Sequence, residues 1–222
     1  MKSFLERSKT MSRDITKLHP LVQMLANQLV KDAEACGYKV KITDCVRTKD
    51  EQNNLSASVT NAKYPYSFHN WGLAFDICQN DAKTPYPPAN SDFWKNVGLI
   101  GERLGLEWGG RWTKPVDKPH FQLDLFGTVN QLVTLYKTPD SFFKSTQYQI
   151  TTPKTAINIK SSQKKVGWLQ TRLCVHGFAV KIDGFFGEET CRAVNAWRKS
   201  RGGTYFLNGE VSKSECKLLA RD

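Results

Sequence analysis

The chain has 222 residues, 40% of them hydrophobic, which is enough for one sizeable core or for a medium domain with a small one beside it. Its formal net charge of +11 calls for an anionic partner, yet no clustered run of Lys and Arg and no nucleic-acid motif accompanies it, which argues against nucleic acid. No apolar run approaches membrane-spanning length, the first residues lack a signal peptide's apolar core, and the six cysteines show no C-x-x-C spacing; a cytoplasmically made chain with reduced thiols and no thiolate metal site is expected.

Residues 1–11 are polar, with Met11 a second candidate start. After His19-Pro20 the run LVQMLANQLVKDAEACG repeats apolar residues at helical spacing and stops at Gly37. YKVKITDCVRT reads as a strand with Val40 and Ile42 inward, and Thr48 with Glu51 forms a capping box at the head of a second helix, so Arg47 sits where strand becomes helix and can reach into a cleft. The segment from Ala57 to Tyr66 reads as loop.

The stretch Ser67 to Asp76, SFHNWGLAFD, carries the chemistry. His69 and Asp76 are too far apart for one metal on a continuous helix, which would separate them by roughly 10.5 Å. On a continuous strand their odd offset would point them to opposite faces. The chain must therefore bend between them, and Asn70 and Gly72 permit it. Beyond the bend, Leu73, Phe75 and Ile77 take one strand face while Ala74 and Asp76 take the other. A third ligand is offered by DKPHFQLDL, where Pro119 favours extended backbone and alternation puts His120, Gln122 and Asp124 on one face. Two histidines and one aspartate leave a tetrahedral zinc one open position, the catalytic pattern, and Asp117 is placed to act on a water there. A cysteine nucleophile, such as Cys78 with His69, is the chemical alternative, but it leaves Asp76 and Asp117 unexplained.

A helix is expected from Phe93 to about Arg103, then the segment EWGGRW, then a short amphipathic helix from Thr128. From 138 to 160 the composition shifts to Thr, Ser, Pro and Lys, a linker pattern. Beyond it, Val166, Leu169 and Leu173 share a helical face, and Ile182–Val194 repeats weakly as Leu207–Leu219, each copy a tight turn running into a helix start. Residues 151–222 hold 13 Lys and Arg against 6 Asp and Glu, so +7 of the +11 lies there. His19 and His176 flank helix ends and read as structural.

SFHNWGLAFD resembles the S-x-H-x-x-G-x-A-x-D motif of the zinc D-Ala-D-Ala-type metallopeptidases, and DKPHFQ resembles their D/E-x-x-H motif. EWGGRW followed by PHFQ is similar to the branch of that family that cuts between L-Ala and D-Glu in peptidoglycan stem peptides, phage endolysins and autolysins among them. Residues 161–221 resemble the small three-helix peptidoglycan-binding domain of wall hydrolases. The resemblance implies an α+β fold with a small antiparallel sheet, a peptidase domain at 1–137, a linker at 138–160 and a wall-binding domain at 161–222. It implies Zn²⁺ on His69, Asp76 and His120, with Asp117 as general base and Arg47 facing the substrate carboxylate or developing oxyanion. Ser67, Trp71 and Gln122 become candidate substrate contacts, with Gln122 alternatively bonded to a ligand. Trp112 could line the cleft, Trp108 equally the cleft or the core, and Glu107 is a second carboxylate able to serve as base. The expected partner is bacterial peptidoglycan, whose anionic polymers suit the charge, reached after release from the cell. A D-Ala-D-Ala carboxypeptidase or endopeptidase, or a non-catalytic wall-binding zinc protein, remains the alternative.

Overall fold

The first long helix, α1 (Pro20–Ala35), starts where His19 Nδ1 accepts the Leu21 N–H and Pro20 supplies a fixed φ, and it buries Leu21, Val22, Leu25, Ala26, Leu29 and Ala33 along one stripe. In a computed structural model the residues described are 12–57, 59–145, 148–204 and 210–221, so Met11 and the lead before it lie outside them, as do Leu207 to Gly209 of the repeat's second copy. Strand β1 (Val40–Asp44) follows, then α2 (Lys49–Asn54), whose Thr48–Glu51 capping box is formed as expected. After a 3₁₀ turn at Phe68–Trp71 come β2 (Ala74–Gln79), α3 (Asp92–Arg103), β3 (Glu107–Trp108) and β4 (His120–Gln122).

The four strands form one antiparallel sheet in the order β1-β2-β4-β3. The period-2 alternation sorts its faces. Leu73, Phe75, Ile77, Phe121 and Leu123 are all fully buried on the side covered by α1 and α3, while Asp76, His120 and Gln122 stand on the other. Helix α3 approaches the sheet closely because it presents glycines. A Cβ on Gly98 or Gly101 would lie under 3.0 Å from the rings of Trp108 and Phe121, an overpacking that costs ~1–3 kcal/mol in a filled core. The sheet's apolar floor is thereby closely packed beneath the polar face.

Helices α4 (Val129–Tyr136) and α5 (Pro139–Lys144) come next. Residues 138–160, a linker by composition, are anchored to the core at a few of the described positions. Phe142 is fully buried among His19, Trp71, Phe126, Tyr136 and Tyr148, and Ile157 bridges to Val211. Scattered aromatic residues without periodicity anchor this stretch, which a pattern search passes over. The final helices are α6 (Gln163–Val175), α7 (Glu188–Ser200) and α8 (Lys213–Leu219). Buried Gln170 fixes the turn before α7, since its Nε2 donates to Asp183 and its Oε1 accepts the Gly184 N–H at 2.8 Å. The Ser212–Glu215 capping box opens α8, and Arg198 forks onto Glu215. Helix α6 packs on α1, with Gly167 against Leu125, and the buried apolar residues run continuously from α1 to α8. Among the described residues no helix is long and apolar enough to cross a membrane.

Candidate metal centre

Register builds the site. In the antiparallel pair β2–β4, Asp76 stands directly opposite His120 and Ala74 opposite Gln122; across β3–β4, Glu107 stands opposite Gln122. Directly opposite residues share a face, so two polar rows cross the sheet side by side. Small Ala74 leaves room beside them. Strand β1 extends the first row. A bulge between Ile42 and Asp44 brings Asp44 opposite Asp76, where regular alternation would have put Thr43.

His69 arrives from the 3₁₀ turn. That turn closes at Gly72, whose φ of +67° is the left-handed value the bend requires, and Asn70 ties it to the body of the protein by donating from Nδ2 to the Arg47 carbonyl at 3.0 Å. The chain thus folds back so that His69 Nε2, His120 Nδ1 and Asp76 Oδ1 converge. His69 Nε2 lies 3.2 Å from His120 Nδ1 and 3.3 Å from Asp76 Oδ1, and His120 Nδ1 lies 3.1 Å from Asp76 Oδ1.

The far side of each ring fixes which nitrogen carries a proton. His69 Nδ1 faces the Cys45 carbonyl at 2.7 Å, and a carbonyl only accepts, so the neutral ring donates there and offers the Nε2 lone pair inward. His120 Nε2 faces Gln122 Oε1 at 3.0 Å and donates to it, leaving the Nδ1 lone pair inward. Three electron-pair donors therefore point at one another in a buried place. A cation between them would relieve that arrangement. Two bonds of about 2.0–2.1 Å at a tetrahedral angle span roughly 3.3 Å, close to the observed separations. The donor set fits a metal ion, and His69, Asp76 and His120 would hold it.

Charge around the centre is arranged accordingly. Burial works against the charge on Asp76, yet His69, His120 and Arg47 hold its carboxyl well below the usual carboxylate range. Burial likewise opposes protonation of His120, but the Asp76 carboxylate overrides it and raises the ring above its ordinary value. Arg47 is buried, with Nε donating to Asp44 and Nη2 to Asp76 Oδ2 at 3.0 Å. It thus ties off one Asp76 oxygen and leaves the other to the histidines. Asp44, which sequence reading passed over, is the second anchor of Arg47; its signal was a carboxylate at the end of the strand, three residues before Arg47.

Asp117 sits just before β4. Its N–H donates to the Gly109 carbonyl at 2.9 Å, and a Cβ on Gly109 would collide with the Asp117 carbonyl, so the glycine lets this loop lie close. Burial first, and the nearby Asp76 charge second, raise the Asp117 carboxyl above the ordinary value, partly offset by His120, His69 and Arg47. Asp117 is thus a half-buried carboxyl whose charge is felt by the cluster.

Residues 60–123, which span both motifs, match the family described as D-alanyl-D-alanine carboxypeptidase. The chain is 32% identical over 122 residues to the peptidoglycan L-alanyl-D-glutamate endopeptidase CwlK of Bacillus subtilis, an alignment covering 48% of this chain and 73% of that protein. The chain belongs to the D-Ala-D-Ala-type metallopeptidase family. It is also 33% identical over 118 residues to the L-alanyl-D-glutamate peptidase of Listeria phage A118, covering 51% of this chain and 41% of that relative. The crystal structure of the L-Ala D-Glu endopeptidase ChiX of Serratia marcescens superposes with a TM-score of 0.42 at 19% identity, over 52% of this chain and 87% of ChiX.

In this metallopeptidase several expected contacts fall elsewhere. Trp71 is fully buried, with its indole N–H on the Pro65 carbonyl and its ring against Phe142, so it is a core residue and not a substrate contact. Gln122 spends its amide on His120 and Glu107, which makes it a bridge behind the ligand and not a substrate contact. Ser67 is half-buried at the head of the 3₁₀ turn, where its N–H donates to Asn70 Oδ1 at 3.2 Å. Trp108 stacks on Phe121 in the core, whereas Trp112 is half-exposed with its ring 5.0 Å from that of His120, so it lines the mouth of the site. Glu107 is unsuited to act as base, since Gln122 and Trp112 donate to its two oxygens at 2.6 Å. The Cys78 alternative fails as well. Burial raises that thiol, and both nitrogens of His69 are committed elsewhere.

Proposed function

We propose that the chain is a zinc-dependent peptidoglycan hydrolase that cleaves the L-Ala–D-Glu bond of the stem peptide. The observation that carries the reading is the convergence of three lone pairs, on buried His69 and His120 and half-buried Asp76, beside a half-buried Asp117. The bond choice follows from CwlK and the phage A118 peptidase, both named for L-alanyl-D-glutamate cleavage. A D-Ala-D-Ala carboxypeptidase, the description attached to the matched family, is the second reading. Analysis of the new end groups in digested muropeptides separates the two.

Bound zinc would supply a Lewis acid that polarises the scissile carbonyl and lowers the pKa of a water. Asp117 takes the proton of the attacking water and delivers it to the departing amine, so the D-Glu nitrogen leaves neutral as the new acid end forms on L-Ala. Arg47, anchored by Asp44 and Asp76, keeps a positive charge beside the carbonyl as negative charge develops on its oxygen. Trp112 offers an aromatic wall at the mouth, and Ser67 a hydroxyl at its edge.

The same reading assigns functional division to the chain: a peptidase over 1–137, a linker over 138–160, and a three-helix module over 161–222 that binds the wall. Its support is the +7 charge of residues 151–222, with Lys199, Arg201 and Lys217 exposed. In the full chain, reversing these three to Glu should weaken sedimentation with purified walls most at low salt, where charge attraction is least screened. Unchanged sedimentation at low salt would remove the targeting role.

A further inference from the structure

A glutamine side chain between two polar groups has two orientations, and nothing within it selects one. Gln122 is such a bridge. One end meets His120 Nε2 at 3.0 Å and the other meets Glu107 Oε2 at 2.6 Å. A carboxylate only accepts, so the end facing Glu107 must be the NH₂ group. The Gln122 oxygen then faces His120, and His120 Nε2 must carry its proton. Glu107 is in turn held in place by the Trp112 indole N–H, a donor that cannot reverse, at 2.6 Å from Oε1. The polarity of the whole chain, Trp112 to Glu107 to Gln122 to His120, therefore runs one way.

We infer that Glu107 is a positioning residue that sets, through Gln122, the tautomer of His120, keeping the Nδ1 lone pair turned toward Asp76 and His69. The inference rests on the metal reading of those three residues. Glu107 is the member of its row farthest from the cluster: it lies on the edge strand β3, and it acts only because register puts it opposite Gln122, which shares its face with His120. The Trp-Gly-Gly stretch supports this geometry. Gly110 lies against the Trp108 ring, where a Cβ would clash, and the backbone turns there so that Trp112 comes back over Glu107.

The chain of donors makes a sharp test, because an isosteric change reverses it. In Glu107→Gln, Trp112 still demands an oxygen, so the new amide turns its NH₂ toward Gln122. Gln122 then turns its own NH₂ toward His120, whose Nε2 must accept, and the proton moves to Nδ1 inside the cluster. The double variant Glu107→Gln with Gln122→Glu restores one-way polarity: the new carboxylate accepts from both His120 and residue 107. On the full chain, zinc affinity measured by competition with a chromophoric chelator should fall about 10–100-fold in Glu107→Gln, the range for losing an outer partner of a metal-binding histidine, and recover in the double variant. The ring ¹⁵N spectrum of zinc-free protein, at a pH where His120 is neutral, should show the proton on Nε2 in wild type and on Nδ1 in the single variant. Wild-type affinity and an unchanged ring spectrum in Glu107→Gln would overturn the inference, as would a loss that the double variant does not recover, since that marks a plain packing role. If the wild-type chain bound no zinc, the metal reading would fail, while the ring spectrum would still decide the tautomer.

Discussion

Asp117→Asn should retain its metal and lose about 10²–10⁴-fold in turnover, the usual contribution of a positioned general base. The substitution keeps the shape of the side chain and its loop, which is held from the backbone by Gly109, and removes only the basic oxygen. Asp117 is not among the three groups whose atoms converge, so metal content measured by elemental analysis should stay at the wild-type level. A metal-free variant would make Asp117 a ligand. A metal-loaded variant as fast as wild type would take the proton transfer away from Asp117, and Glu107 could not inherit it with both oxygens bound.

His69→Ala and His120→Ala should behave in the opposite way, losing metal and activity together. Each change removes one of three donors, so affinity should fall further than the roughly 10–100-fold expected from removing an outer partner. Added zinc should then fail to restore cleavage at concentrations that saturate the wild type. The two sets of variants form a contrast within one assay pair, metal content beside cleavage rate. If His69→Ala kept both, the converging lone pairs would need another explanation than a cation.

Much of the centre was legible because motif spacing and strand parity are local properties. The bend at Gly72, the strand bearing Asp76 and the alternation through His120 and Gln122 all follow from a period of two and one glycine at positive φ. What pairing decides was not legible. The bulge that turns Asp44 onto the face of Asp76, and the β3–β4 register that sets Glu107 opposite Gln122, are agreements between distant strands. Trp71 was misread for a related reason: a tryptophan between two site residues looks like a cleft wall, whereas Phe142, 71 positions later, covers it. Residues 138–160 hid their helix because Thr, Ser and Pro dominate the stretch, while burial depends on a few aromatic rings.

The bond cleaved is the central claim, and the mass spectrum of muropeptides digested by the full chain with zinc tests it most directly. Cleavage between L-Ala and D-Glu should leave stem fragments that begin with a free D-Glu amine, and glycan-linked lactyl groups that end in L-Ala. Intact L-Ala–D-Glu bonds together with released D-Ala would contradict the account and assign the chain to D-Ala-D-Ala cleavage.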